Sequence, residues 1–386
     1  MEGGLVSNSS QFLMKAIGFN SVVANGLGGS DKVTIFDSIR TDEFFANTEL
    51  FSMKSGVGIP KQAEVFAINF ESALGLSRDG GGDRAELIGT AGNESFFASP
   101  NSARLQYEKL DVRVSGFNNV EAHSKGGDDV AVFGDSIFDD IFHSNSTSSF
   151  MTGAGFTNRA VGFATNIATS TSGNDGATIT GTSGVDQARF SKDLTTWFST
   201  GRRVRALAFP SVTAMGGDGD DIAKFIDSSD DDTFFADRLN SGMNGEGYSI
   251  SARSFEFITA FTQHGGNDVA IIEDSSGDDV FNANSLAAVM RDVGNTYSIT
   301  AVGFDSYIAS SISGGNDFAA LTDSDEDDEL TLSGDIAEMT GLGYRLLVRE
   351  FEIVNANGFN GGVNSFDLSN DVSFTFNLNG AWVERN

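Results

Sequence analysis

In 386 residues, 54 Asp and Glu outweigh 24 Lys and Arg, giving a net charge of −30, and there is no Cys. That balance excludes nucleic acid and direct binding to an anionic membrane as natural partners, and the missing thiols exclude disulfides and Cys-based metal sites. The 34 Phe, against 5 Tyr and 2 Trp, indicate a core of rings that carry no polar atom needing a partner.

The N-terminal residues have no basic segment followed by a long apolar run, so no secretory signal is visible. No stretch approaches the ~18 apolar residues of a membrane span. From about residue 12 to 370 the chain is a repeat. Taking the first Asp of each unit as offset zero, copies start at Asp31, Asp83, Asp129, Asp175, Asp221, Asp268 and Asp317, at steps of 52, 46, 46, 46, 47 and 49 residues. Asn364 opens a degenerate last copy. Residues 1–30 read as a partial unit, 31–363 as seven units and 364–386 as a degenerate repeat and cap. The whole is one repeat domain.

Within each unit the spacing is fixed. At +7 stands a hydroxyl (Ser38, Thr90, Ser136, Thr182, Ser228, Ser275, Ser324), and at +11 an acid (Asp42, Glu94, Asp140, Asp186, Asp232, Asp279, Asp328). At +6 stand Asp37, Asp135, Asp227, Asp274 and Asp323, with Gly89 and Gly181 in the other two copies. At +13 come Phe44, Phe96, Phe142, Ala188, Phe234, Phe281 and Leu330. Alternation such as Ala131/Phe133 and Ala270/Ile272 reads as short β-strands, with Gly, Asp, Ser and Asn turns every eight to ten residues. A unit therefore holds five or six strands. Two turns of a parallel β-helix fit that number; an eight-bladed β-propeller fits the period but lacks a blade signature. We expect an all-β parallel β-helix of about eight ~46-residue repeats. With two rungs per repeat it would make a rod roughly 75 Å long.

Three local features depart from the unit. The long first interval places a bulged loop at 53–61, with Gly56, Gly58 and Pro60. Residues 335–340 suit one short helical turn. The fourth unit is divergent and is followed by Trp197 and by Arg202, Arg203 and Arg205, a docking patch or a solvated strand face. The tail alternates from Val372 to Leu378 and ends polar, as a cap does.

The chemistry lies in the turn from +6 to +11. Ca²⁺ takes six to eight oxygens from carboxylates, carbonyls and water on a sharply turning loop. The candidate ligands are Asp37/Asp42, Asp135/Asp140, Asp227/Asp232, Asp274/Asp279 and Asp323/Asp328. Gly89 and Gly181 each remove one. The competing reading is an Asx turn, in which the same side chains accept backbone N–H groups. No Walker, dinucleotide or nucleophile-elbow motif is present, and His123, His143 and His264 lie at unrelated offsets.

At the level of D-x-A-x-[LIF]-x-D-S-x-x-[DN]-D-x-F the chain resembles repeats of long secreted or surface-associated bacterial proteins. GGDGDD at 216–221 is distantly similar to the RTX calcium-binding repeats. The resemblance implies an extracellular or cell-surface, non-catalytic, Ca²⁺-loaded solenoid that self-associates or meets other surface proteins. A polysaccharide-binding or polysaccharide-modifying β-helix, of lyase or epimerase type with glycan partners, is the alternative.

Overall fold

The computed structural model describes residues 20–58, 62–78, 81–108 and 110–385. They form 39 strands and no helix, 21 strands in one sheet and the remaining 18 in the other. None of the described residues therefore belongs to a helix able to cross a membrane. The two sheets face each other, and one continuous core of Ala, Val, Ile, Leu, Met and Phe runs between them. The chain is a parallel β-helix, and its units stack along an axis rather than around a ring.

The unit that starts at Asp129 shows how the sequence builds it. Val130–Gly134 lies in the second sheet, with Ala131 and Phe133 inward. The chain then crosses to the first sheet for three consecutive antiparallel strands, Ile141–Ser144, Ser148–Gly153 and Phe156–Val161. It returns to the second sheet as Thr165–Thr169, parallel to Val130–Gly134. The next unit does the same with the sheets exchanged: Gly176–Thr180 is in the first sheet and the triplet 187–207 is in the second. Each unit makes three crossings between the sheets, an odd number, so consecutive units are related by a half-turn about the axis. The first strand of each triplet pairs in parallel with the first strand of the next unit, as Ile141–Ser144 does with Gly176–Thr180. At ~4.8 Å per strand the 21-stranded sheet extends roughly 95 Å. The triplets make the rod longer than the expected 75 Å.

Two short turns make each triplet. At +16 an Asx or Ser residue turns the chain: Asn145 Oδ1 accepts the N–H groups of Thr147 and Ser148, and Asn47, Asp237 and Asn284 act alike. The second turn has a residue at positive φ, such as Gly155 (82°) or Gly247 (75°). In the first unit this second turn is the long one, between Leu50–Ser55 and Ala63–Ile68. Met53 is therefore a buried strand residue and not part of the loop, and residues 59–61 lie outside the described ones. Residues 336–341 form a strand and not a helical turn. Ala337 and Met339 alternate inward opposite Val348 and Leu346, and six residues are too few to sustain a helix without tertiary packing.

The +13 side chains are buried in every unit. Each ring meets the Phe that follows the triplet of the next unit: Phe44 with Phe117, Phe96 with Phe163, Phe142 with Phe209, Phe234 with Phe304 and Phe281 with Phe351, all at 6.0–6.2 Å between centroids. In the fourth unit Ala188 leaves that place short of volume. Trp197, directly opposite it on the neighbouring strand, fills the gap and lies 5.7 Å from Phe255.

Candidate functional site

The repeated acids meet at the boundaries between units. In all seven units the +7 backbone N–H donates to the +11 carboxylate at 2.5–3.0 Å. This is the Asx-type turn expected from Asp or Glu four residues after a hydroxyl. The N–H of the same +11 residue then donates to the offset-zero side chain of the next unit, at 2.5–3.2 Å. The +6 carboxylates also reach forward. Asp135 accepts from Thr171 and Ser172, Asp227 from Gln263 and His264, Asp274 from Ile312 and Ser313, and Asp323 from Asn360. Asp37 accepts from Arg78. The residue at +10 adds a third bond: Asn93, Asp139, Asp231, Asp278 and Asp327 each accept the N–H just before the next offset-zero residue.

Eight of the ten candidate ligands are thus brought together with a third carboxylate that the sequence reading did not assign. Asp37, Asp42 and Asp83 have oxygens within 4.8 Å of one another, as do Asp274, Asp279 and Asp317. Asp135/Asp140 meets Asp175, and Asp227/Asp232 meets Asp268, through the same bond. Asp323/Asp328 meets Asn364 instead, whose Nδ2 donates to Asp323 Oδ2 at 2.9 Å while its Oδ1 keeps the usual bond to the Asp328 N–H. An amide N–H here stands where a proton or cation would otherwise balance the neighbouring carboxylate. The signal was available at offset zero, but its partner lies 35–41 residues upstream and belongs to the preceding unit.

The offset-zero acids from Asp83 to Asp317, the +11 acids, and Asp227, Asp274 and Asp323 at +6 are almost wholly out of water, whereas Asp37 and Asp135 are half-buried. Burial, first, and then neighbouring carboxylates push Asp221 and Asp268 up to about 6. Burial raises Glu94, Asp175 and Asp317 as well. Four units have an aromatic donor: Tyr248, Tyr297 and Tyr344 each give their O–H to the +11 carboxylate at 2.6 Å, and Trp197 gives its Nε1–H to Asp186 at 3.2 Å. Burial and that acid hold all three phenols far above their ordinary range. In the third unit the place belongs to Phe156, which has no hydroxyl, and Asp140 Oδ1 is buried without a partner, as is Asp175 Oδ2.

The two glycines at +6 have local reasons. A Cβ at Gly89 would lie 2.9 Å from Glu94 Oε2, because the longer Glu occupies the space of the missing Asp. A Cβ at Gly181 would lie 1.9 Å from the Gly216 carbonyl oxygen and 2.9 Å from Trp197.

Ca²⁺ fits this chemistry in part. Two or three buried carboxylates converge, and at Asp140 and Asp175 orphaned oxygens accompany them, as a hard cation requires. Glu94 Oε2, Asp129 Oδ2 and Asp221 Oδ2 are orphaned too, and elsewhere N–H and O–H donors already serve most of the oxygens. Of the three clustered arginines, Arg203 is exposed over the Phe198 ring, whereas Arg202 is turned inward to the Phe163 carbonyl, Ser144 and Ser149. Burial lowers Arg202 to about 10. The three therefore do not form one patch.

No protein-family model and no curated protein sequence matches this chain.

Proposed function

We propose that the chain is a non-catalytic structural or adhesive rod of the bacterial exterior, an assembly subunit whose acidic turns are held by Ca²⁺. The observation that carries this reading is the uninterrupted junction. The bond from the +11 N–H to the next offset-zero side chain recurs at all seven boundaries, so the acids are distributed as parts of a scaffold. The +6 and +11 Asp residues, with Asp83, Asp175, Asp268 and Asp317, would hold the ion. The ion would supply positive charge between carboxylates that repel one another in a poorly solvated place. Thermal unfolding in CaCl₂ against NaCl of equal ionic strength tests the reading: a Ca²⁺-specific gain in Tm supports it, and superimposable curves remove the metal from it.

One observation favours a second reading, a β-helix that binds or modifies acidic polysaccharide. A groove of about 740 Å³ lies on the outer face of the 21-stranded sheet, lined in part by Glu86, Glu121, His123, Arg159 and Phe66. His123 Nε2 is 3.0 Å from Glu121 Oε1. This set breaks the repeat, as a reaction site would. Incubation with uronate polymers, followed by ultraviolet absorbance for an unsaturated product, tests it; wild-type turnover that is lost in His123→Ala would favour this reading over the scaffold.

A further inference from the structure

The outer face of the 18-stranded sheet has a charge opposite to that of the whole chain. Strand register places Arg113, Arg104, Phe97, Val132, Ile167, Arg205, Thr196, Arg189 and Lys224 in a single outward column on nine successive strands. Neighbours in such a column are ~4.8 Å apart. Beside it Arg203 lies over the exposed Phe198, and Phe257 is exposed as well. Among the described strand residues of this face the one outward acid is Asp111, already paired with Arg104 and Arg113. Arg205 Nε is buried without an acceptor. Arg and aromatic side chains together, with acids depleted, are the composition of a protein-binding surface rather than of a solvated one.

One edge of the rod carries the complement. Where the chain passes from the 18-stranded to the 21-stranded sheet, Asp139, Asp231, Asp325 and Glu326 are exposed in the turns. The 325–327 turn stacks on the turn holding Phe359 and Val363, which are 71% and 69% exposed. The edge is therefore acidic and apolar, as the face is basic and apolar. We propose that the occupant of the basic face is the acidic edge of a second copy of this chain. The proposal rests on the assembly reading above and names its contact. Face and edge are different surfaces, so the contact is heterologous and repeats from copy to copy, giving lateral arrays rather than a closed dimer.

Net charge and complementarity predict opposite responses to salt. Two rods of charge −30 that merely repel would associate better as salt screens them, whereas a face-to-edge contact dissolves as salt rises. Sedimentation velocity of the full chain at about 20 mM and about 500 mM NaCl reads the sign. We expect association at low salt that is lost at high salt. Arg203→Glu/Lys224→Glu should remove it, as should Asp325→Lys/Glu326→Lys. Mixing the two variants should restore a pair, because a reversed face then meets a reversed edge. Circular-dichroism melts confirm that each variant folds, and Arg203→Gln/Lys224→Gln replaces a reversed face that does not. Three results would overturn the proposal: monomers at low salt, association that strengthens with salt, or a face variant that associates like the wild type. Retention of an acidic polysaccharide by a monomeric wild-type chain would assign the face to a glycan instead. A missing Ca²⁺ effect on melting would weaken the metal reading and leave this contact standing.

Discussion

The backbone N–H of Asp279 donates to Asp317 Oδ1 at 2.7 Å across 38 residues of sequence. This bond joins the turn of one unit to the start of the next, and Asn364 makes it with an amide at the last boundary. Asp317→Ala should therefore cost ~1–3 kcal/mol, because the Asp279 N–H is left buried and unpaired. Asp317→Asn keeps the acceptor and should hold most of the stability in Ca²⁺-free buffer. Chemical denaturation of the two variants side by side checks the pair. Equal losses would show that the carboxylate charge, and not the acceptor, matters at this place.

Phe156 occupies the position from which Tyr248 and Tyr344 reach the +11 acid, and it leaves Asp140 Oδ1 without a donor. Phe156→Tyr should supply one and stabilise the fold by about 1 kcal/mol in the absence of divalent ions. In Ca²⁺ the gain should shrink, because the same oxygen is a candidate ligand. Melting with and without Ca²⁺ measures both effects.

Asp221 is pushed up from 3.8 to about 6, first by burial and then by the acids around it. Between those two values the folded chain holds a proton that the unfolded chain has released. Stability from this group is therefore full below pH ~4 and declines as pH rises toward ~6, opposite to ordinary acid denaturation. Asp221→Asn keeps Oδ1 for the Asp186 N–H and removes the titration. The variant should be more stable than the wild type at pH 7, by on the order of 2 kcal/mol, and the difference should close as pH falls to 4. A constant difference across that range would contradict the assignment.

Phe234 is fully buried between Phe225 at 5.4 Å and Phe304 at 6.1 Å. Phe234→Ala should cost roughly 3–5 kcal/mol. Because units contact only their neighbours, hydrogen exchange should rise mainly in strands between residues 211 and 310. Uniform loosening of the whole rod would contradict that locality.

Much of this architecture was legible in the residues. Period-two alternation put Ala131 and Phe133 on one face, and the constant +13 Phe marked the core column. The half-turn between units was not, because it depends on which of the turns cross between the sheets and which keep the chain in one sheet. The middle strand of each triplet is set off only by an Asx or Ser residue at +16 and a two-residue turn near Gly155 or Gly247, which leave the alternation undisturbed and do not show that the chain stays in one sheet. The acids were legible as a set. Their third member was not, since Asp83, Asp175, Asp268 and Asp317 reach the site from the following unit. Residues 335–340 misled because Ala337, Glu338 and Met339 suit a helix locally, and only the strand opposite them decides the conformation.

The central claim is that Ca²⁺ binds at the junctions of the rod, and titration calorimetry on metal-free protein at pH 7.5 tests it most directly. The account predicts saturable heat from several sites and a rise in Tm beyond that in matched NaCl, with each site at tenfold over its Kd contributing ~1.4 kcal/mol. Both effects should vanish near pH 4 as the ligands protonate. They should weaken in Asp274→Asn/Asp279→Asn, which removes acids from one of the two tightest clusters. No heat above dilution, together with identical melting in Ca²⁺ and Na⁺, would contradict the claim and leave the junctions held by hydrogen bonds alone.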